Sequence, residues 1–219
     1  MITVIAYKWV PPVVRGLVRD LRVRWALEEA GIPYDIELIG LDEKDTPDYR
    51  SLQPFAQVPA ITDGDLKLFE SGAIVLHIGE KSEILLPRDP QARERAIVWL
   101  FAALNSVENF TAQLLQGDLM APNEDWWKTF RPWVEGIVKS RLHDLSETLG
   151  DRDYFEGSFT IGDLMMATVL RQLHPSGLLK TEPKLADYVA RCEARPAFQK
   201  ALKAQLAEYD RHAPPASFN

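Results

Sequence analysis

Three short groups of residues in one stretch of the chain, Gln57-Val58-Pro59, Asp63-Gly64 and Glu70-Ser71, have types and spacing suited to holding a small peptide. Proline has no N–H, and a proline at the first residue of a strand leaves the chain beside it partly unpaired. With the Val58-Pro59 bond cis in a tight turn, the N–H and C=O of Val58 face outward, where an extended peptide can pair with them as an added strand does. Asp63-Gly64 supplies the positive φ of a hairpin turn. Glu70 and Ser71 then open a helix, and a helix N-terminus attracts anions through its free N–H groups and its dipole. Ser71 suits a carboxylate there and Glu70 an ammonium. The ligand these groups describe is a small zwitterionic peptide with one extended backbone segment.

The elements that must position them follow from periodicity. Residues 2–7 are an apolar, β-branched run, the pattern of a buried strand, and Lys8 to Pro12 end it. Val14, Leu17, Leu21 and Trp25 recur at spacings of three and four and predict a helix from about residue 14, stopped by Gly31, with arginines and glutamates on its other faces. Residues 34–39 alternate as a second strand, which makes a parallel crossover unit with the first. Residues 45–52 contain Pro47 and read as a short irregular helix, and residues 58–62 and 66–69 as the two strands of a hairpin. Strand-helix-strand followed by strand-strand-helix is the order of a thioredoxin-like α/β domain.

On these residues the chain resembles the two-domain cytosolic glutathione S-transferases of bacteria. The resemblance implies that Val58 pairs with the cysteinyl backbone of glutathione and that Glu70 and Ser71 hold its γ-glutamyl end. Gln57, Val58, Pro59, Glu70 and Ser71 are therefore the candidate glutathione-binding residues. Many bacterial relatives read Asn-Pro-x-Gly ahead of the valine-proline pair, where this chain has Gln53-Pro54-Phe55-Ala56.

Glutathione transfer needs a thiolate, and a free thiol ionises only near pH ~8.5, so the site must supply a donor, a cation or a helix N-terminus. The family places a tyrosine, serine or cysteine after the first strand. Counting back from Ala26-Leu27-Glu28-Glu29 puts the serine or cysteine position near Leu17, and no serine, threonine or cysteine occurs between Thr3 and Thr46. A serine- or cysteine-type mechanism is excluded in this region. Tyr7, at the end of the first strand, is the candidate catalytic donor. Trp9, the backbone N–H groups of Gly16 to Val18 and Arg15 are the alternatives, and Arg15-Gly16-Leu17 with Arg22 is similar to the mu class at the same helix. The loop between Tyr7 and Arg15 is longer here by four residues.

Past Leu85 the strand signal ends, and Pro87 and Pro90 make a stiff linker. Long helices are expected over about 91–116 and 124–149, the second kinked or interrupted at Pro132. Thr160 and Asp163 form a variant capping box, with Phe159 and Leu164 as its hydrophobic staple. Two further helices follow from Pro183 and Pro196, and the tail from Arg211 is expected to be disordered or to fold over the helical half. The expected organisation is a glutathione-binding α/β domain over residues 1–86 and an all-helical domain over 90–219. Phe101, Leu104, Asn105 and Glu108 are candidates to line an acceptor pocket between the domains.

The chain has 219 residues and a net charge of −7, which argues against nucleic acid as a general partner. Its one cysteine, Cys192, allows no intramolecular disulfide and points to a reducing cytoplasm. The first residues read as a strand and not a signal peptide, and no apolar run approaches the ~20 residues that span a bilayer. No ligand spacing points to a metal. The expected activity is conjugation of glutathione to a small electrophile, a detoxification chemistry, by a homodimer. A glutathione-dependent isomerase, dehalogenase or peroxidase on the same fold and a non-catalytic binding protein are the alternatives.

Overall fold

The computed structural model describes residues 1–215, so the last four residues of the expected tail lie outside the described part. By packing, the chain forms two compact units, residues 1–85 with 195–219, and residues 86–194. The break falls at the proline linker.

The first unit is built on a four-stranded sheet of β1 (Ile2–Tyr7), β2 (Tyr34–Ile39), β3 (Ala60–Asp63) and β4 (Leu66–Phe69) in the order β2-β1-β3-β4. β1 runs parallel to β2, with Val4 beside Ile36, and antiparallel to β3, with Val4 also beside Ile61. A strand paired on both edges and covered on both faces needs apolar residues without alternation, which is why Val4, Ile5 and Ala6 in succession are buried. α1 (Asp20–Ala30) and α3 (Ser71–Gly79) pack together against the sheet, and α2 (Pro47–Leu52), capped by Thr46, follows β2. This is a thioredoxin-like mixed sheet with its helices.

α1 begins six residues later than its periodicity predicts. Residues 12–14 are a three-ten turn, Arg15 is extended at ψ 134°, and Gly16 takes φ 76°. That left-handed glycine breaks any helix running in from Val14. α9 (Pro196–Asp210), which chain order places with the helical half, packs on α1 in the first unit. Trp25 meets Phe198 edge-on at 4.9 Å, and Arg195 binds Glu29 through both carboxylate oxygens at 2.6 and 2.8 Å. Ala213 and Pro215 line a cavity with Lys8, Trp9, Gly40, Leu41 and Asp42 of this unit.

The second unit is helical: α4 (Pro90–Ala102), a π-helical turn (Ala103–Glu108) and α5 (Asn109–Met120) run on as one rod, followed by α6 (Asp125–Leu149), α7 (Ile161–Leu170) and α8 (Pro183–Glu193). α6 continues through Pro132, so of the expected kink or interruption the interruption is absent. α7 is buried along its whole length, and its start is set by the expected capping box. Gly162 allows the close approach of α4, since a Cβ there would stand 2.5 Å from the Trp99 Cβ and 3.0 Å from the Ala96 carbonyl.

Asp163 accepts hydrogen bonds from the N–H of Thr160 at 3.0 Å, the N–H of Phe155 at 3.1 Å and the Tyr188 hydroxyl at 3.1 Å. Burial pushes its carboxyl up, and these donors pull against that rise. Asp163→Ala strands two buried N–H groups at once, so a loss of about 3–5 kcal/mol is expected from the urea midpoint of unfolding. A loss under ~1 kcal/mol would show that the cap does not hold α7.

Candidate functional site

The hairpin pairs Ala60 with Phe69, which brings the candidate residues 57–59 and 70–71 to the same end of β3 and β4. The Val58-Pro59 bond is cis, and β3 begins just after it at Ala60, which pairs with Ile5. The backbone N–H and carbonyl of Val58 have no partner among the described residues. Gln57 is exposed, and its carbonyl accepts the Tyr49 hydroxyl at 2.5 Å, which ties the loop to α2. Ala56 and Glu70 are the non-glycine residues with positive φ among the described ones, at 54° and 67°. A side chain in this region is held there against ~1–2 kcal/mol of steric cost, and such positions gather at ligand sites.

Glu70 is the residue before α3, with an exposed carboxylate that meets no protein group among the described residues. Ser71 is the first residue of α3 and 5% exposed. Its Oγ accepts a hydrogen bond from Arg22 Nη1 at 3.1 Å, which leaves its own proton to donate. The head of α3 therefore presents a hydroxyl, the first-turn N–H groups and a guanidinium behind them to an anion, with a carboxylate beside them for a cation. Arg22, 3% exposed, is the contribution that the sequence reading missed. Its position two residues into α1 follows from a helix start that the periodicity alone did not place.

Tyr7 packs, with Val18 and Leu52, against the cluster of Ile5, Ile39, Tyr49, Val58 and Ala60. Its ring thus shares a cluster with both the valine of the peptide edge and the turn leading into α1. Among the described residues its hydroxyl donates to no protein group. Burial, and next the charge of Asp45, push its pKa up to about 12, so it stays a neutral phenol that can donate a proton but not remove one at neutral pH.

The alternative donors fare differently. Gly16 to Val18 precede α1 and do not open it, and the Leu17 N–H is spent on the Val14 carbonyl at 3.0 Å. Arg15 donates to Asp210 at 2.8 Å. Trp9 is 7% exposed and lines a cavity of about 530 Å³ with Lys8, Gly40, Leu41, Asp42, Ala213 and Pro215, at the C-terminal ends of β1 and β2. In the helical unit, Phe101 and Asn105 are exposed, whereas Glu108 is buried and accepts from Gln172 at 2.9 Å, which removes it from the open surface. His77 bonds Asp63 at 2.9 Å as a structural contact. Among the described residues no group of three or more His, Cys, Asp or Glu side chains could hold a metal, and no helix is long and apolar enough to cross a membrane.

Residues 13–80 match the family model of the glutathione S-transferase N-terminal domain. A glutathione S-transferase from Hyoscyamus muticus is 30% identical over 196 residues, covering 84% of this chain and 92% of that protein. A probable glutathione S-transferase from Oryza sativa subsp. japonica is 31% identical over 191 residues, covering 80% and 86%. The fold superposes with a TM-score of 0.81 on a glutathione transferase family member from Pseudomonas fluorescens pf-5, solved with two glutathione bound, at 26% identity and 92% coverage of each chain. A thioredoxin-like unit with an open peptide edge, a helical unit after it and relatives of this similarity over most of the chain lead to one assignment: the protein belongs to the glutathione S-transferase family.

Proposed function

We propose that this protein conjugates the thiol of glutathione to small electrophiles, with glutathione held by Gln57, Val58, Pro59, Glu70 and Ser71 of the half spanning residues 1–86 and its thiolate stabilised by Tyr7. The observation that carries the reading is the head of α3, where Ser71 is backed by Arg22 at 3.1 Å and stands next to an unpaired Glu70 carboxylate. A γ-glutamyl end carries one ammonium and one carboxylate and fits that pair of charges. The relative solved with glutathione supports the same ligand. Calorimetric titration with glutathione, followed by an assay with an activated aryl halide, tests it. Absence of glutathione binding overturns the assignment, and binding without conjugation of any electrophile favours a binding protein on this fold. The single cysteine is buried, which fits a cytoplasmic setting.

The protein acts as a homodimer on the same reading. α4 leaves Val98 61% and Phe101 50% exposed, three residues apart on one face, as an interface helix does. Sedimentation is expected to give a particle of about 50 kDa at micromolar concentration, twice the 24.8 kDa chain. A 24.8 kDa particle under those conditions overturns the dimer.

A further inference from the structure

α9 touches the stretch that leads into α1 at Arg15, Val18 and Asp20. Gln205 donates from Nε2 to the Val18 carbonyl at 3.3 Å and to Asp20 Oδ1 at 2.7 Å, while Arg24 donates to the other oxygen of Asp20 at 2.8 Å. Asp210 accepts from Arg15 at 2.8 Å, and the Arg15 guanidinium lies over the Tyr209 ring, 5.8 Å from its centre. Residues 185–195 positions apart in the chain are joined here. The segment so held contains Val18, which packs against the same cluster as Tyr7 and Val58.

This seam is not built for greatest stability. The buried side-chain polar atoms without a hydrogen-bond partner among the described residues are Arg15 Nε, Gln205 Oε1 and Tyr209 Oη, and all three belong to it. Asp20 and Gln205 are fully buried and Tyr209 is 1% exposed, in positions where apolar side chains would fill the same space without stranded donors and acceptors. Polar groups retained in a core at that expense are those whose directionality is needed. A hydrogen bond fixes the Val18 carbonyl in a way that a leucine at position 205 does not.

From these contacts we infer that Gln205 and Asp210 of α9 are positioning residues for the glutathione thiol: they hold the Arg15–Asp20 segment, and through Val18 the cluster around Tyr7, in the geometry that lets the Tyr7 hydroxyl reach the sulfur. The inference rests on the proposed glutathione site and extends it to a helix that makes no hydrogen bond to Glu70 or Ser71 among the described residues. It requires no contact between α9 and the ligand.

Two variants test it in the full-length protein. Asp210→Ala changes an exposed carboxylate and leaves the buried seam intact, whereas Gln205→Leu keeps the volume and removes both hydrogen bonds. Each is titrated with glutathione by calorimetry, and the bound thiol is titrated by its ultraviolet thiolate absorbance. Glutathione affinity is expected to stay within about twofold, because the peptide ends are held elsewhere. In Gln205→Leu the bound thiol pKa rises by about one unit and kcat at neutral pH falls about tenfold, the loss shrinking at high pH. Asp210→Ala falls about threefold in kcat, and Asp210→Glu restores it, since the longer carboxylate still reaches Arg15. A purely structural seam would lower the thermal midpoint and leave thiol pKa and kcat unchanged, which overturns the inference. Loss of affinity in step with kcat overturns it too, by placing α9 in the binding site. Failure of the unmodified protein to bind glutathione sinks the site assignment instead, and that is read in the first titration.

Discussion

Tyr7→Phe is expected to slow conjugation at neutral pH by about 10²-fold, the usual loss when one donor to a reacting anion is removed. Glutathione affinity should stay within about twofold, because the proposed site holds the peptide through Val58, Glu70 and Ser71 and Phe keeps the ring packed on Val58 and Ala60. The pH dependence has a definite sign. The phenol, pushed up to about 12, is protonated throughout the working range and donates at every pH at which the enzyme is assayed. The deficit of the variant therefore follows the thiol alone and narrows as pH approaches the thiol's own ~8.5. A profile from pH 6 to 9.5 with an aryl halide, flat in the wild type and rising in the variant, is the expected result. Full activity of Tyr7→Phe at neutral pH removes Tyr7 from the mechanism. The raised pKa has a stability counterpart. The neutral phenol stabilises the fold fully below its unfolded value of ~10, and that contribution is lost as pH rises through about 12, so Tyr7→Phe should unfold later in alkali.

Glutathione affinity should fall by roughly ten- to hundredfold in Glu70→Ala and again in Ser71→Ala. A hydrogen bond to a charged group is worth about 1.5–3 kcal/mol, and about 1.4 kcal/mol is a decade in Kd. The two variants should differ in mechanism. Glu70 is exposed and meets no protein group among the described residues, so its loss acts on the ligand alone and leaves the thermal midpoint unchanged. Ser71 is buried and is an acceptor for Arg22, so its loss also takes a partner from a buried guanidinium. Ser71→Ala should then lower the midpoint by a few degrees, as about 1 kcal/mol does in a chain of this size. Calorimetry showing unchanged Kd in both variants would falsify the assignment of α3 to the γ-glutamyl end.

The sheet, the hairpin and all the main helices were legible because they announce themselves locally. The strand 2–7 is a continuous apolar run, Asp63-Gly64 is a turn, and Thr160 and Asp163 are a cap that folds as it reads. What was illegible depends on residues far apart. The start of α1 was misplaced because Val14 and Leu17 have helical spacing, while Gly16 at φ 76° breaks the helix between them. The sequence puts arginines on the other faces of α1 from its apolar stripe, yet Arg22 is 3% and Arg24 1% exposed, each matched by a partner that spacing alone does not reveal, Ser71 in one case and Asp20 in the other. The Pro132 interruption did not appear because surrounding turns of α6 keep their own hydrogen bonds when one donor is missing. Within the site, the residue types at 57–59 and 70–71 were readable and the guanidinium behind them was not.

The return of α9 to the first unit bears on how the chain is made. A ribosome releases residues 1–85 first, then the whole helical unit, and only afterwards the helix that covers Trp25 and answers Asp20 and Glu29. Until then the nascent α/β half carries an uncovered tryptophan, a carboxylate short of one donor and a glutamate awaiting its arginine. The helical half, closed around α7 and its own cap, has every segment it needs before the first half does. Synthesis order and completion order are thus reversed in this protein, and the half that emerges first is the one that must wait.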